Sequence, residues 1–595
     1  MSILQANIDF LARKFPHVIQ SITNAKVDYS KVYTERLEKD MAWLEAVEGS
    51  VEDFKLIFMY GFGQGLALID LLEKYPDRWI FVYEPNITVF YDTIEKYNFV
   101  ELFQKPGFKG LAIGEDSLKM LFSSILSYME SDLAFVAHRH YLEQEADQLY
   151  ELKNQFLKYS ELFEVNQQTM DHFRMRWMRN SMFQLADMLK SQWIENVRNT
   201  LPDCTVIVVG SGPSLQQDIE ILRKMKDHAI VIAAGSSIQA LVKHGIQPHL
   251  TVAMDGGVVN ERIFATSDVL VAPLLITSTA YYGMSEKQVS GRMYSILRND
   301  TVAHYCLGQS KDHFAIEPTS TVTGTAMQAA ICLGAKKIIM MGQDLSFQNN
   351  KFYTDGILHA DADYLEEKIE TANTSNWLVE NVNGSQNVTN QSFLFMKEGI
   401  EELIAAFPKV EFINATRNGA KINGSVFIPA EEVLQSIEHT SVDQHAVKNV
   451  LDQHPALKNE SKIEEVKNRL EATKQDFKHA QQQLKNIQKM LGKLQVLSRT
   501  KPLKAQQLLE EIERTWGAVS NRLWFEAIIE SIIPLQLSRF DKQLPSIVTD
   551  ANIVTKSSLI YVHLGELIQS ILETLDYTDE IFEASLEQIN HMNTL

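Results

Sequence analysis

Residues 205–214, TVIVVGSGPS, constrain this chain more than any other segment. Five consecutive residues, four of them Val or Ile and none alternating with polar partners, read as a strand buried on both faces, the habit of a parallel sheet. The glycines that follow, Gly210 and Gly212, let the backbone turn sharply and approach a ligand phosphate. Ser214 is placed to cap an amphipathic helix expected over 215–225, whose free N–H groups would face that ligand. Two more apolar runs, 229–235 and 249–255, end in small or acidic residues, where the carboxyl edge of an open α/β sheet gathers its ligands. A nucleotide-type site is therefore expected near the middle of the chain.

At 595 residues the chain exceeds what one core serves, since domains run to about 100–200 residues. The expected fold class is α/β with three parts: a Rossmann-like N-terminal domain over 1–160, a central doubly wound domain over 161–435, and a C-terminal α-helical bundle over 436–595. In the first, the run 54–60 leads into Gly61-Phe-Gly63-Gln-Gly65, a helix over 66–74, and a second strand over 79–84 ending in Glu84. Glu84 lies 23 residues after Gly61, near the ~20 expected between a dinucleotide glycine turn and its ribose-binding acid. Such a turn also serves packing alone, so a dinucleotide site, an S-adenosylmethionine site and a purely structural turn all fit. Residues 140–200, with Arg174, Arg176 and Arg179, read as helical linkers presenting a solvated or inter-domain face. Further central strands are expected at 269–276, 336–342 and 410–414. Beyond 435, Ile463, Val466, Leu470, Thr473, Phe477, Ala480, Leu484, Ile487, Leu491 and Leu494 fall at steps of three and four. That heptad seam closes a bundle within the chain or receives a helical partner.

A net charge of −20 argues against nucleic acid or an anionic membrane as partner, because both are held largely by clustered Lys and Arg. Three scattered cysteines make neither a disulfide framework nor a CxxC metal site, which fits a reducing cytosol. No signal peptide and no membrane span is read, so a cytoplasmic location is expected.

A second block, residues 317–324 (EPTSTVTG), sets Thr319, Ser320, Thr321 and Thr323 before another helix. Hydroxyls and a glycine at a helix start again offer convergent donors to an anion. The strand after that helix ends in Gly342-Gln343-Asp344, which brings a third turn to the same sheet edge. Capping of the helix by Thr321 or Thr323 and a solvated Asp344 are the plainer alternatives.

On these segments, together with 245–249 leading to Asp255, 321–326, 342–347 and 413–424, the sequence resembles the motility accessory factor family of bacterial flagellin glycosyltransferases. The central domain also resembles bacterial CMP-sialic acid sialyltransferases. The resemblance implies transfer of a nonulosonic acid, such as pseudaminic or legionaminic acid, from its CMP conjugate to Ser or Thr of flagellin, a step in filament assembly and motility. It implies Gly210, Ser211, Gly212, Pro213, Ser214, Asp255, Thr321, Thr323 and Gln343 as donor-binding residues, to which the hydroxyls of Thr319, Ser320 and Tyr353 are added as expected phosphate donors, with flagellin and the CMP-sugar as partners and no separate cofactor. Oligomeric state stays open, a homo-oligomer included.

A CMP donor expels a single phosphate, which fixed N–H and hydroxyl donors can stabilise without a divalent ion. No Asp-x-Asp ends a central strand, Asp361-Ala-Asp363 being read as the start of an exposed helix, so no metal is expected. An inverting displacement needs one base on the acceptor hydroxyl. The related sialyltransferases draw a histidine from a loop that corresponds to 382–388, and none is present there. Asp344, His359 and Asp355 are the candidates, and a side chain at Gly212 is expected to obstruct the donor phosphate. Two competing readings are a pterin-type pyrophosphokinase using ATP and magnesium, and a non-catalytic flagellin-binding chaperone acting through the helical seam.

Overall fold

The computed structural model describes residues 2–592 apart from 25–27, 33–39, 52–53, 130–132, 311–312, 349, 361, 376 and 457–458. The chain is α/β with two parallel sheets and a long helical C-terminal region, and it forms two compact units, Met1–Thr169 and Met170–Leu595. The segments 161–435 and 436–595 fall almost wholly in the second.

In the first unit β1 (Leu56–Tyr60), β2 (Trp79–Glu84), β3 (Phe108–Ile113) and β4 (Leu133–Ala137) make a parallel sheet in the order β3-β2-β1-β4. The βαβ unit expected over 54–84 is present. The crossover helix Leu66–Lys74 follows the glycine turn and buries Leu68, Leu71 and Leu72.

The second unit is built on nine parallel strands: β5 (Gln192–Trp193), β6 (Thr205–Val209), β7 (Ile230–Ala234), β8 (Leu250–Ala253), β9 (Leu274–Thr277), β10 (Arg292–Ser295), β11 (Lys337–Met341), β14 (Glu411–Asn414) and β15 (Val426–Phe427). A separate hairpin, β12 (Leu378–Glu380) and β13 (Gln386–Val388), lies between them in sequence. The order is β15-β14-β11-β6-β7-β8-β9-β10-β5. From β6 the chain winds one way through β10, then returns to place β11 on the other side of β6. That reversal is a topological switch point, and it opens a crevice at the carboxyl ends of β6 and β11.

Alternation within β6 explains the unbroken apolar run of its sequence. Ile207 and Val209 point into one core with the C-terminal helices, while Val206 and Val208 point into the other with the helix Val322–Leu333. Strand β9 starts at Leu274 rather than at 269, because residues Asp268–Leu270 turn as a 3-10 helix and Pro273 has no N–H for the ladder. Residues 140–200 hold the helix Ala146–Met188 but also the edge strand β5, which the linker reading missed for want of a strand longer than two residues.

Every residue of the expected seam is buried in the helix Glu460–Thr500, which packs against Ile553–Met592 and Pro502–Ser520. Thr473, the polar interruption, is hydrogen-bonded to Tyr305 at 2.7 Å. The seam is closed within the chain, so the reading that offers it to a helical partner is corrected.

Candidate functional site

The crevice at the switch point holds a cavity of about 550 Å³, within the usual range for small-molecule sites. Its wall is made by the turns that follow β6, β7, β8 and β11, by residues 320–323 ahead of the helix Val322–Leu333, and by the loop 352–360. Gly210, Ser211, Gly212, Asp255, Ser320, Thr321, Thr323, Gln343, Asp344, Tyr353 and His359 all line it. Pro213, Ser214, Thr319 and Asp355 do not.

The glycine turn after β6 has a different role from the one its sequence suggests. Ser214 does not cap the helix Leu215–Met225 with its side chain. Its N–H and hydroxyl instead donate to the Asp344 carboxylate, at 3.1 Å and 2.6 Å, and Gln348 Nε2 donates to the same carboxylate at 2.5 Å. A carboxylate from β11 thus fills the position at the helix start where a donor phosphate was expected. A Cβ at Gly212 would lie 2.0 Å from Asp344 Oδ2 and 2.7 Å from the Gly342 carbonyl oxygen, and one at Gly210 would lie 2.5 Å from that same oxygen. These glycines permit two strand ends to touch each other. The expectation that a side chain at Gly212 obstructs only the donor is therefore corrected.

Asp344 is 3% exposed, and burial pushes its carboxyl up to about 7 against the pull of the Ser214 donors. Its bonds make it the tie between β11 and the β6 turn rather than a free base. Between about pH 4 and pH 7 the folded protein holds a proton here that the unfolded chain has released, so stability falls as pH rises through that window. Asp344→Asn has no such proton to lose. Its melting temperature should decline less than that of the wild type across the window, and identical pH dependence of the two would assign the titration to another group.

The second anion cradle is open. Thr321 caps the helix Val322–Leu333 by accepting from Thr323 N, and Thr323 Oγ1 donates to Gln343 Oε1 at 2.6 Å. This helix start faces the cavity with Ser320, Thr321 and Thr323. Thr319 stands behind it, donating to the Thr321 carbonyl at 2.9 Å.

Asp255 follows β8 and turns its carboxylate into the cavity without a hydrogen-bond or ion-pair partner among the described residues. Asp255 is exposed to the cavity, and the protein around it raises its carboxyl above the ordinary aspartate value. The segment carrying it is held from behind by the helix Ala146–Met188, where Asn180 donates to the carbonyls of Gly256 and Thr279, both at 3.0 Å.

The loop 352–360 is stitched down over the crevice. Thr354 N donates to the Ser211 carbonyl at 2.9 Å, and Arg262 Nη1 donates to the His359 carbonyl at 3.2 Å. Tyr353 and His359 are thereby brought into the cavity with their rings in edge contact, 5.4 Å between centroids. His359 is 9% exposed, and burial, with the Arg262 charge beside it, holds its imidazole below the ordinary histidine value. That direction favours the neutral ring. Asp355 points out of the site, where it pairs with Lys351 at 3.1 Å on the surface, and it is corrected as a catalytic candidate. Segment 382–388 belongs to the β12–β13 hairpin, which supports the β11 loop through Asn387 Nδ2 donating to Ser346 Oγ at 2.9 Å. Asp361 lies outside the described residues, and a helix does begin at Ala362.

Met254, Ser236, Arg262, Phe393 and Met396 also line the cavity. Ser236 had a signal in the small residues ending the second apolar run. Arg262, Phe393 and Met396 had none, because they reach the crevice only through tertiary packing. Among the described residues no group of three His, Cys, Asp or Glu is placed to hold a metal ion, and no helix is long and apolar enough to cross a membrane.

The glycine turn of the first unit is also filled by its own chain. Glu84 is fully buried, with Oε2 accepting from Phe62 N at 2.7 Å and Gly63 N at 3.0 Å, and Oε1 accepting from Asn86 N at 2.9 Å and from the Tyr141 hydroxyl. A Cβ on Gly61 would strike the Tyr141 ring, and one on Gly65 the Phe99 ring. Of the alternatives left open for this turn, the geometry favours the structural one: the Glu84 carboxylate takes the N–H groups a pyrophosphate would need. Millimolar NAD or S-adenosylmethionine should leave the melting of this protein unchanged, and a saturable rise would reinstate a cofactor site.

Residues 179–350 match the model of a family described as 6-hydroxymethylpterin diphosphokinase MptE-like. A search of curated proteins gives no match. The structure of the MAf glycosyltransferase from Magnetospirillum magneticum AMB-1 superposes with a TM-score of 0.53 at 14% sequence identity, covering 100% of this chain and 99% of that one. The chain thus shares its fold, over its full length, with a MAf glycosyltransferase, and its residues 179–350 are similar to the MptE-like family.

Proposed function

We propose that this protein is a glycosyltransferase that moves a nonulosonic acid from its CMP conjugate to a Ser or Thr hydroxyl of flagellin, with inversion at the anomeric carbon. The observation that carries this reading is that an imidazole, His359, and an unpartnered carboxylate, Asp255, share one cavity with the open helix start at Thr321–Thr323. His359 takes the proton of the acceptor hydroxyl. The acceptor oxygen then bonds to the anomeric carbon while the bond from that carbon to the phosphate oxygen breaks, and its electron pair leaves with CMP. The Ser211 and Thr321 hydroxyls and the helix start at 321–322 receive the departing phosphate, the Thr323 N–H and hydroxyl being held by Thr321 and Gln343. Asp255 binds sugar hydroxyls, and Asp344 acts as a positioning residue for the turn at 210–214.

Intact-mass analysis of flagellin co-expressed with this protein and a CMP-nonulosonic acid pathway tests the reading. Flagellin should gain whole nonulosonic acid increments that vanish when the protein is omitted, and unmodified flagellin would overturn it. Transfer by the purified protein should persist in excess EDTA.

The MptE-like match supports a second reading, diphosphate transfer from ATP to a pterin. Turnover of ATP that EDTA abolishes and magnesium restores would favour it.

A further inference from the structure

We propose that Gln239 is a positioning residue that fixes the tautomer of His359, so that Nε2 carries the lone pair offered to the acceptor hydroxyl. This rests on the reading of His359 as the base. Gln239 lies in the short helix Ser237–Lys243 and is 8% exposed. Its amide has a forced orientation. Nε2 donates to two carbonyl oxygens, Arg262 at 3.0 Å and Ile263 at 3.3 Å, so it must be the NH2 group. Oε1 accepts from Leu358 N at 3.0 Å, so it must be the carbonyl.

That same Oε1 lies 3.4 Å from His359 Nδ1. An amide oxygen cannot donate, so the approach is favourable only if Nδ1 carries the hydrogen, which leaves Nε2 as the unprotonated nitrogen. His359 Nε2 has no protein partner among the described residues, and the side chain lines the cavity. One amide therefore does three things: it holds the end of the helix Val259–Ile263, anchors the loop at Leu358, and selects the basic nitrogen. Orientation of a histidine by the group on its other nitrogen recurs wherever the ring must work in one direction.

The charged or titratable groups around this imidazole are Arg262 from the neighbouring helix, Tyr353 from its own loop and Asp255 in the same cavity. None of them supplies an acceptor to Nδ1. Without Gln239 the ring is free to take the Nε2–H form, in which the cavity meets a donor instead of a base.

Nitrogen-15 NMR of the histidine-labelled full-length protein tests this directly, with the His359 signals identified by their loss in His359→Asn. At neutral pH Nδ1 should resonate as a pyrrole-type N–H and Nε2 as a pyridine-type nitrogen. The opposite pattern in the wild type would overturn the proposal, whatever the activity.

Kinetics supply the second arm. In Gln239→Glu a carboxylate beside Nδ1 favours the imidazolium, so the rising limb of the kcat–pH profile should move upward by about 1 unit or more. Gln239→Leu should lower kcat by about tenfold or more with donor KM little changed, at the low end of what a misplaced base costs. A folded Gln239→Glu with an unmoved profile would end the positioning role. If instead His359→Asn turns over normally while the NMR pattern holds, the tautomer assignment survives and the base assignment fails, so the two claims fail separately.

Discussion

Replacing His359 by asparagine is expected to lower the rate of sugar transfer by about 10²–10⁴-fold, the range a general base contributes, while CMP binding measured by calorimetry stays close to wild type. Three features set this expectation. Burial and Arg262 favour the neutral form of the imidazole, the form ready to accept a proton. It is fixed at both its backbone carbonyl and its Nδ1, so little reorganisation is needed at the moment of reaction. It also lines the same cavity as the open helix start proposed to receive the leaving phosphate. Asparagine keeps an N–H near the place of Nδ1–H and removes the basic nitrogen with the outer edge of the ring. The melting temperature should therefore move little. Turnover within tenfold of wild type would shift the base to Asp255, whose unpartnered carboxylate with a raised pKa is the other group able to take a proton there.

Gly212→Val is expected to be the most damaging change to the fold of the second unit, with a loss of at least about 3 kcal/mol and poor soluble yield, at the upper end for overpacking in a closed site. The new Cβ would enter the space of Asp344 Oδ2, and neither neighbour can yield easily: Asp344 is pinned by Ser214 and Gln348, and the Gly342 oxygen is main chain. Denaturant titration measures the loss. Combining Gly212→Ala with Asp344→Ala, which removes the carboxylate that the new Cβ would strike, should cost less than the sum of the two single changes. An additive result, or a normally stable Gly212→Val, would place the strain elsewhere.

The sheet was legible because its strands are buried on both faces and so carry unbroken apolar runs; β6, β7, β8 and β11 differ from their expected bounds by only a few residues. The edge strands were not. Gln192–Trp193 and Val426–Phe427 are two residues each and carry no period to detect. At the site, the glycine turns and strand-end acids announced where the crevice lies but misled on what they do, because a strand-end carboxylate reads the same in sequence whether it meets a ligand or a neighbouring turn. Asp344 and Glu84 both meet turns. Gln239 left no trace, since a glutamine in a short helix is ordinary until the loop 352–360 folds onto it. Asp355 and His359 are four residues apart, yet one faces solvent and the other the cavity, a difference set by Leu358 N and the Arg262 guanidinium rather than by any local pattern.

The core shared by one face of the large sheet and the C-terminal helices has a consequence during synthesis. Ile207, Val209, Val231 and Ile339 bury themselves in the same cluster as Leu484, Ile568 and Phe582. When β14 leaves the ribosome, the helix Ile553–Met592 that completes this cluster has still to be translated. At about 5–20 residues per second the nascent sheet waits roughly 10–30 s with an apolar face uncovered. The protein should therefore engage chaperones while it is being made, and a premature stop before Ile553 should yield an aggregating product rather than a shorter folded protein.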